Sequence, residues 1–507
     1  MSLGRATLTV GGFTALSRIA GFARDLLIAA ALGAGPVTDA FFVSLKLANL
    51  LRRLFAEGAF GAAFVPLYTR LQADADADAA SRFAGEAMAV LGLALLPIVL
   101  LGELLMPWLV RVLATGFAPG SLQYDLSVAL GRITFPYLLF ISMAAMLSGV
   151  LQAGQRFAAA AFAPILLNLM LIALLLASGA EGVAAARLLA WGVTGAGLLQ
   201  LAWVAVATAR AGLAPPLRWP RLSPQVRRLL RLMGPGALGI GVIQLNLLVG
   251  SWFATHLPPG TVSYLFYADR LVQLPLGLVG VALGTALLPA LSRAALKGEA
   301  ARAVLNRALE LALLVGLPAA FGLGLLARPI VAVLFEHGAF GAEASVATAQ
   351  VLAGLALGLP GYVLAKVLAP GFYAREDTAT PVKIAAFALA ANVMAAVVLT
   401  PRLGHTGLAL AMSLASWVNA LGLGLLLHRR GQWRPDSDLL RRGLGIGVAV
   451  AVMAGVLVGA RIALPASGPV GLALVIGLAG AGYVAAAVLA GGIDLRLLRG
   501  LGRPADA

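Results

Sequence analysis

SRIAGFARDLLIAAALGAGPVTDAFFVSLKLANLLRRLFAEGAF, residues 17–60, contains two apolar stretches separated by a Gly-Ala-Gly-Pro turn, and charged side chains recur in both. The stretches predict two membrane-spanning helices. An Arg, Lys or Asp at the centre of a bilayer costs about 2.5–3.5 kcal/mol on insertion scales, so we expect these side chains to face protein or water. The charged residues are Arg18, Arg24, Asp25, Asp39, Lys46, Arg52, Arg53 and Glu57.

The rest of the chain continues the same pattern. It has 507 residues, of which 61% are hydrophobic and 11% charged, and long apolar runs recur from end to end. Such a composition is typical of a multi-pass membrane protein. Dividing the runs at their turn signals gives about fourteen transmembrane helices. The chain has no cysteine, which excludes disulfides and thiol catalysis.

The net charge of +16 is explained by orientation in the membrane. Most of the Lys and Arg residues fall in the two tails and in alternate loops, with clusters at 210–231 and 429–442. The positive-inside rule therefore places both termini in the cytoplasm. We predict no nucleic-acid partner, because no soluble domain is left to form a binding groove. The basic residues assigned to the opposite side are Arg111, Arg328, Arg402 and Arg461.

Two pairs of segments indicate an internal repeat. AFGAAFVPLYTR at 59–70 matches ALGTALLPALSR at 282–293, and GVAAARLLA at 182–190 matches GLALAMSLA at 407–415. Each pair shares five identical positions, and the offsets are 223 and 225 residues. A unit of this length holds six spans, an even number, so both copies enter the membrane from the same side as parallel repeats.

The predicted fold is therefore an all-α polytopic membrane protein with two six-helix lobes related by a pseudo-two-fold axis. The N-terminal lobe covers 1–212 and the C-terminal lobe covers 213–430. The remaining part, 431–507, holds two extra helices, at roughly 441–461 and 469–491, and a cytoplasmic tail. We expect a substrate cavity between the two lobes, near the membrane midplane.

The charged residues of the first lobe fall on shared helix faces. Arg18 and Asp25 are seven residues apart, and Asp39, Lys46 and Arg53 form a heptad stripe. In the second lobe, Asp269 and Arg270 lie within an apolar span. Cations outnumber acids in this set, and arginine predominates, which favours an anionic ligand such as a phosphate. The alternative is structural ion pairs or snorkelling side chains, which we prefer for Lys46 and Arg53.

Three segments resemble the MurJ (MviN) family of lipid II flippases, of the multidrug/oligosaccharidyl-lipid/polysaccharide exporter superfamily. They are residues 17–66, which begin with the stretch quoted above, YADRLVQLPLGLVGVALGTALLPALSR at 267–293, and FYAREDTATPVKIA at 372–385. The resemblance implies an alternating-access transporter, with no enzymatic reaction. It would carry undecaprenyl-diphosphate-linked peptidoglycan precursor from the cytoplasmic to the periplasmic leaflet. The implied partners are lipid II, membrane lipids and cell-wall synthesis proteins.

The resemblance also assigns roles to individual residues. It implies that the substrate's diphosphate and sugar are bound by Arg18, Arg24, Arg52 and Arg270. It implies that Asp25, Asp39, Glu57 and Asp269 orient these arginines or pair across gates. The two extra C-terminal helices would form a groove for the lipid tail.

One part of the sequence departs from the family pattern. Some members of the family bind sodium through acidic and amide side chains in span 7 and near the start of span 11. Here Gly250 and Tyr373 occupy two of those positions, and only Asp377 remains. A hard cation needs several oxygen ligands, so we expect no sodium site, no other metal and no cofactor. Coupling to the membrane potential is the expected driving force.

Two other readings stay open from the residues alone. The first is a flippase for another polyprenyl-linked glycan, or a drug exporter of the same superfamily. The second is a membrane glycosyltransferase or polymerase, which needs catalytic acids close to an extracytoplasmic loop. The loop acids are scattered: Asp125, Glu181, Glu336 and Glu343.

Overall fold

The described part of the chain is helical. The computed structural model describes residues 3–52, 59–73, 77–284, 287–294, 298–463 and 468–493. Within these ranges it contains nineteen α-helices and no β-strand, which confirms the predicted all-α class.

The first ten helices include both spans of the charged stretch. Pro36 starts the second of them, as expected for a residue that lacks a backbone donor at a position where none is needed. The ten are α1 (Leu3–Leu32), α2 (Pro36–Arg52), α3 (Ala59–Ala73), α4 (Ala77–Leu104), α5 (Met106–Leu113), α6 (Leu122–Thr134), α7 (Tyr137–Ala153), α8 (Phe157–Ser178), α9 (Gly182–Arg210) and α10 (Pro224–Thr255).

The other nine helices end with the two additions. They are α11 (Thr261–Gly284), α12 (Leu287–Ala294), α13 (Gly298–Leu325), α14 (Ala327–Phe335), α15 (Ala342–Ala356), α16 (Leu359–Tyr373), α17 (Ala379–Arg429), α18 (Ser437–Ala463) and α19 (Pro469–Leu489). The predicted bounds of the two extra spans, 441–461 and 469–491, agree with α18 and α19 to within a few residues.

Long apolar helices define a multi-pass membrane protein. Within the described ranges, nine helical segments are long and apolar enough to cross a bilayer, and α6–α7 and α15–α16 each count as one segment. The 51-residue α17 is two helices joined at Gly404, whose φ of 55° breaks the helix. Counting the two halves of α17 separately turns the nine segments into ten. Adding α1, α2, α10 and α11 is consistent with the predicted fourteen spans. Large apolar side chains on the outer faces are widely exposed, as expected of surfaces in lipid.

The repeat is visible in the order and length of the helices. In the first copy, α4 has 28 residues, contains Pro97 and is followed by the short α5. In the second copy, α13 also has 28 residues, contains Pro318 and is followed by the short α14. Gly179, between α8 and α9, and Gly404, within α17, both have left-handed backbone and are 225 residues apart. This is the offset of the second pair of matching segments.

Two compact units divide the chain by contact density. The first is Met1–Ser263 with His337–Gly341, and the second is Tyr264–Glu336 with Ala342–Ala507. Helix α10 begins the second sequence repeat but belongs to the first compact unit, because it packs against α3 and α4. The predicted lobe boundary at residues 212 and 213 follows the repeat, and it stays a prediction.

Within the second unit, helices α18 and α19 pack against each other, and α18 packs against α13. Arg442 donates two hydrogen bonds to the carboxylate of Glu310, at 2.7 and 2.9 Å. The Tyr483 hydroxyl donates to the Leu314 carbonyl at 2.7 Å. The added pair is therefore anchored to α13 by polar contacts from both of its helices.

Candidate functional site

Arg24 and Asp25, two of the predicted site residues, lie on α1 and form a buried ion pair. Nε and Nη2 of Arg24 donate to Oδ1 of Asp25 at 3.0 and 2.6 Å. The side chains are 16% and 2% exposed. Loss of one partner would leave a charge in a poorly solvated place, so the two side chains hold each other in position.

Asn168 fixes this pair against a second helix. It lies on α8, which packs along α1, and its Oδ1 accepts from Nη1 of Arg24 at 2.9 Å. Its Nδ2 donates to the carbonyl of Ser17 at 3.0 Å. Sequence reasoning missed Asn168, although it is the one polar side chain among the apolar residues between Phe157 and Ala177 of this span. Three of the five N–H donors of Arg24 are used in these contacts.

Asp39 contacts the start of α11 instead of an arginine. Its side chain is 1% exposed. Oδ2 accepts from the Gly260 backbone N–H at 2.6 Å, and Oδ1 accepts from the N–H and hydroxyl of Ser263 at 2.8 and 2.5 Å. A carboxylate at a helix N-terminus satisfies free N–H groups and interacts favourably with the helix dipole. Gly260 and Ser263 were also missed from sequence, because their role depends on a distant carboxylate.

The other described cations between residues 18 and 52 have separate environments. Lys46 donates from Nζ to the Ser251 hydroxyl at 2.6 Å, which links α2 to α10. Arg52 donates from Nε to Oδ1 of Asn49 at 3.1 Å on its own helix. Arg18 is exposed, one turn or more before the Arg24 pair. Arg53 and Glu57 lie outside the described residues.

Asp269 and Arg270 belong to α11 and to the second compact unit. Asp269 accepts a hydrogen bond from the Gln273 side chain one turn further along the helix. The guanidinium carbon of Arg270 lies 4.6 Å from the centre of the Phe266 ring, a cation–π contact. Both side chains are half-buried. The joint role of these residues and the first-unit arginines in one cavity stays a prediction.

Asp377, between α16 and α17, is engaged by neighbouring side chains. Its carboxylate accepts from the backbone N–H and hydroxyl of Thr380 at 2.9 and 2.7 Å, and from Nη1 of Arg430 at 2.7 Å. These hydrogen bonds, those from Thr380 first, lower the pKa of Asp377 to about 2. The described ranges contain no group of three or more His, Cys, Asp or Glu side chains that could hold a metal ion.

Solved structures with the same fold are transporters. A structure entitled "Lipid II flippase MurJ, inward closed conformation" superposes with a TM-score of 0.81, covering 97% of this chain and 99% of that one at 24% identity. An inward-facing multidrug resistance MATE family transporter superposes with a TM-score of 0.68 over 82% of this chain and 94% of that chain, at 16% identity. At these identities the agreement concerns the fold.

Repeated bundles of spanning helices with buried charges, in a fold shared with these structures, define the class as a polytopic membrane protein. The sequence matches the family model described as "Lipid II flippase MurJ" over residues 28–479. A "Probable lipid II flippase MurJ" of Rhizobium tropici is 44% identical, over 98% of this chain and 96% of its own length. A "Lipid II flippase MurJ" of Burkholderia cenocepacia is 39% identical, with 90% of each chain covered. The chain belongs to the MurJ family, which confirms the resemblance seen in the sequence.

Proposed function

We propose that this protein is a lipid II flippase, a transporter and not an enzyme, which moves the lipid-linked peptidoglycan precursor from the cytoplasmic to the periplasmic leaflet of the inner membrane. The observation that carries the proposal is the family match over residues 28–479. Alternating access is the mechanism, and the fold is shared with MATE transporters in inward-facing and outward-facing conformations. Both termini lie in the cytoplasm, in agreement with the distribution of arginine.

The diphosphate is bound by Arg18, Arg24, Arg52 and Arg270. Arg24 is the best prepared of them, since Asp25 and Asn168 hold its guanidinium while leaving two N–H donors for a ligand. The described charges of α1 and α2 support this role, because residues 18–52 include four cationic side chains and only two carboxylates. A doubly charged phosphate group would compensate that surplus. Asp25, Asp39 and Asp269 position these arginines or the helices that carry them.

The lipid tail lies along α18 and α19, outside the repeat. Large apolar side chains of both helices are exposed, among them Leu444 and Leu474. Transport is driven by the membrane potential, since one charge crossing 100 mV gains about 2.3 kcal/mol. The engagement of Asp377 by Thr380 and Arg430 supports a mechanism without sodium at that position. Cell-wall synthesis proteins that consume lipid II are the expected protein partners.

The proposal is tested by neutralising single arginines in cells that depend on this protein. We expect Arg24→Gln and Arg270→Gln to abolish the appearance of lipid II in the outer leaflet while the protein still inserts in the membrane. Arg187→Gln is the matched control, because Arg187 is exposed on α9 and has no assigned role. The measurement is leaflet-resolved labelling of lipid II after depletion of the wild-type protein. Normal export by both cavity variants would overturn the assignment of the arginines, and normal export without any protein would overturn the function.

A further inference from the structure

A groove in the first compact unit has no role in the transport scheme. It lies between α4 and α10, is also lined by Phe60 of α3, and contains about 470 Å³ of space including its open side. Its α4 wall repeats at helical spacing from Ala87 to Ile98, and its α10 wall is Val226, Leu229, Leu230 and Met233. Every lining side chain is apolar. A groove of this kind fits a hydrocarbon chain, because nothing in it can hydrogen-bond a polar ligand.

Arginines lie on the same first turns of α10 that form the groove wall. Arg227, Arg228 and Arg231 are exposed in the first turns of α10, and they alternate along the helix with the groove residues. The preceding segment adds the exposed Arg218 and Arg221. The chain has no Asp or Glu between Glu181 and Asp269, so no acid close in sequence neutralises this cluster.

The segment before α10 also carries side chains suited to the lipid headgroup region. Trp219 is 85% exposed and Leu217 is 95% exposed. Tryptophan is enriched at membrane–water interfaces, where its ring is apolar and its N–H can reach polar groups. The positive-inside rule places the same segment on the cytoplasmic side, where the leaflet carries anionic lipids. Apolar groove residues and exposed arginines therefore lie on the same turns of α10, and together they match the two ends of one lipid molecule.

We propose that this groove binds an anionic glycerophospholipid of the cytoplasmic leaflet, separate from the transported substrate. One acyl chain lies between α4 and α10, and the phosphate is bound by Arg227, Arg228 and Arg231. The bound lipid fills the space between helices from the two sequence repeats and stabilises their packing.

The test is lipid binding to the full-length protein in mild detergent, measured by native mass spectrometry. The probes are phosphatidylglycerol and phosphatidylcholine with identical acyl chains. We expect phosphatidylglycerol to be retained at concentrations where phosphatidylcholine is lost. Replacing the three arginines by glutamine should weaken phosphatidylglycerol binding by about fivefold for each arginine and leave phosphatidylcholine unchanged. Equal binding of the two lipids, or no effect of the triple variant, would overturn the proposal.

A second pair of variants tests the groove. Ala94→Trp places a ring in the groove, whereas Leu93→Trp places the same ring at the adjacent position, which is 59% exposed and does not line the groove. We expect only Ala94→Trp to lose the lipid, with both variants monodisperse in size-exclusion chromatography. Phosphatidylglycerol binding unchanged in Ala94→Trp would contradict the site. Full displacement of the lipid by undecaprenyl diphosphate would assign the groove to the transported substrate and would also overturn the proposal.

Discussion

At the residue scale, buried charges in the first unit are held partly by partners distant in sequence. Asp39 is on α2 and its three donors come from residues 260–263, more than two hundred positions later. Arg24 is held by its neighbour Asp25 and by Asn168 of α8. Burial of such groups is tolerated because their hydrogen-bonding capacity is met by these partners.

Replacement of Asp39 by asparagine should destabilise the protein. The amide has one acceptor oxygen where the carboxylate has two, and its NH₂ group would face backbone N–H donors. We expect a loss of about 1.5–3 kcal/mol, the contribution typical of a hydrogen bond to a charged group. Thermal unfolding of the purified protein measures the change. Asp78→Asn is the control, since Asp78 is an exposed acid in the first turn of α4. Equal unfolding temperatures of the two variants would show that the Asp39 contacts contribute nothing.

The Asp377 cluster predicts a specific pH dependence. The pKa of this carboxyl is lowered to about 2 in the folded protein, below its ordinary value of 3.8. The stabilising contribution is therefore complete above about pH 4 and is lost as the pH falls toward 2. We expect the difference in unfolding temperature between wild type and Asp377→Asn to shrink across that interval. In Thr380→Val, which removes one donor, the pKa of Asp377 is lowered less, so the decline should be smaller and should end at a higher pH. A difference that is constant down to pH 2 would contradict this account.

At the element scale, close backbone approach determines where the ends of helices meet. Gly338 follows α14 and has a φ of 58°, and a Cβ atom built on it would lie 2.4 Å from the carbonyl oxygen of Ala30. The next residue, Ala339, donates its N–H to the same oxygen at 2.7 Å. The end of α1 and the 337–341 segment therefore touch through backbone atoms, which only a glycine permits here.

The Gly338→Ala substitution should break this contact. A side chain at that position meets a backbone oxygen that has no room to move, and the left-handed φ adds strain of about 1 kcal/mol or more. We expect a clear fall in unfolding temperature and reduced lipid II export. Gly341→Ala is the matched control, because nothing lies within 4 Å of the position its Cβ would occupy. If both alanine variants behave like wild type, the close approach is not required.

At the scale of the whole molecule, the helices follow a sequence repeat, and one added helix pair extends it. The pair α18 and α19 has no counterpart in the repeat, and its anchor to α13 includes the Arg442–Glu310 ion pair. These side chains are 15% and 12% exposed, so solvent screens them little.

Breaking this ion pair should loosen the added helices. Arg442→Gln and Glu310→Gln each leave one charge without its partner, at a cost of about 1–3 kcal/mol. The double variant should be less destabilised than the two single effects predict, because it leaves neither charge behind. Unfolding measurements on the four proteins give the coupling energy. A coupling energy of zero would mean that the contact does not hold α18 to α13.

The sequence predicted most of the architecture. A segment that crosses the bilayer must satisfy its backbone hydrogen bonds internally and therefore forms a helix, so a long apolar run in the sequence identifies each spanning helix. The all-α class, the repeat and the bounds of α18 and α19 follow from local composition and self-similarity. The count of fourteen was less direct, since the Gly404 bend joins two spans into the single helix α17.

The charges of α1 and α2 were recognisable from sequence because they are expensive in lipid, and the pairing of Arg24 with Asp25 is local. Their other partners were not recognisable, since Asn168, Ser251 and Ser263 are ordinary polar residues with no motif. Only tertiary packing brought them to the charges: α8 against α1 for Arg24, α10 against α2 for Lys46, and the first turn of α11 against Asp39. The sequence by itself determined which residues must avoid lipid, and the tertiary structure decided what each of them binds.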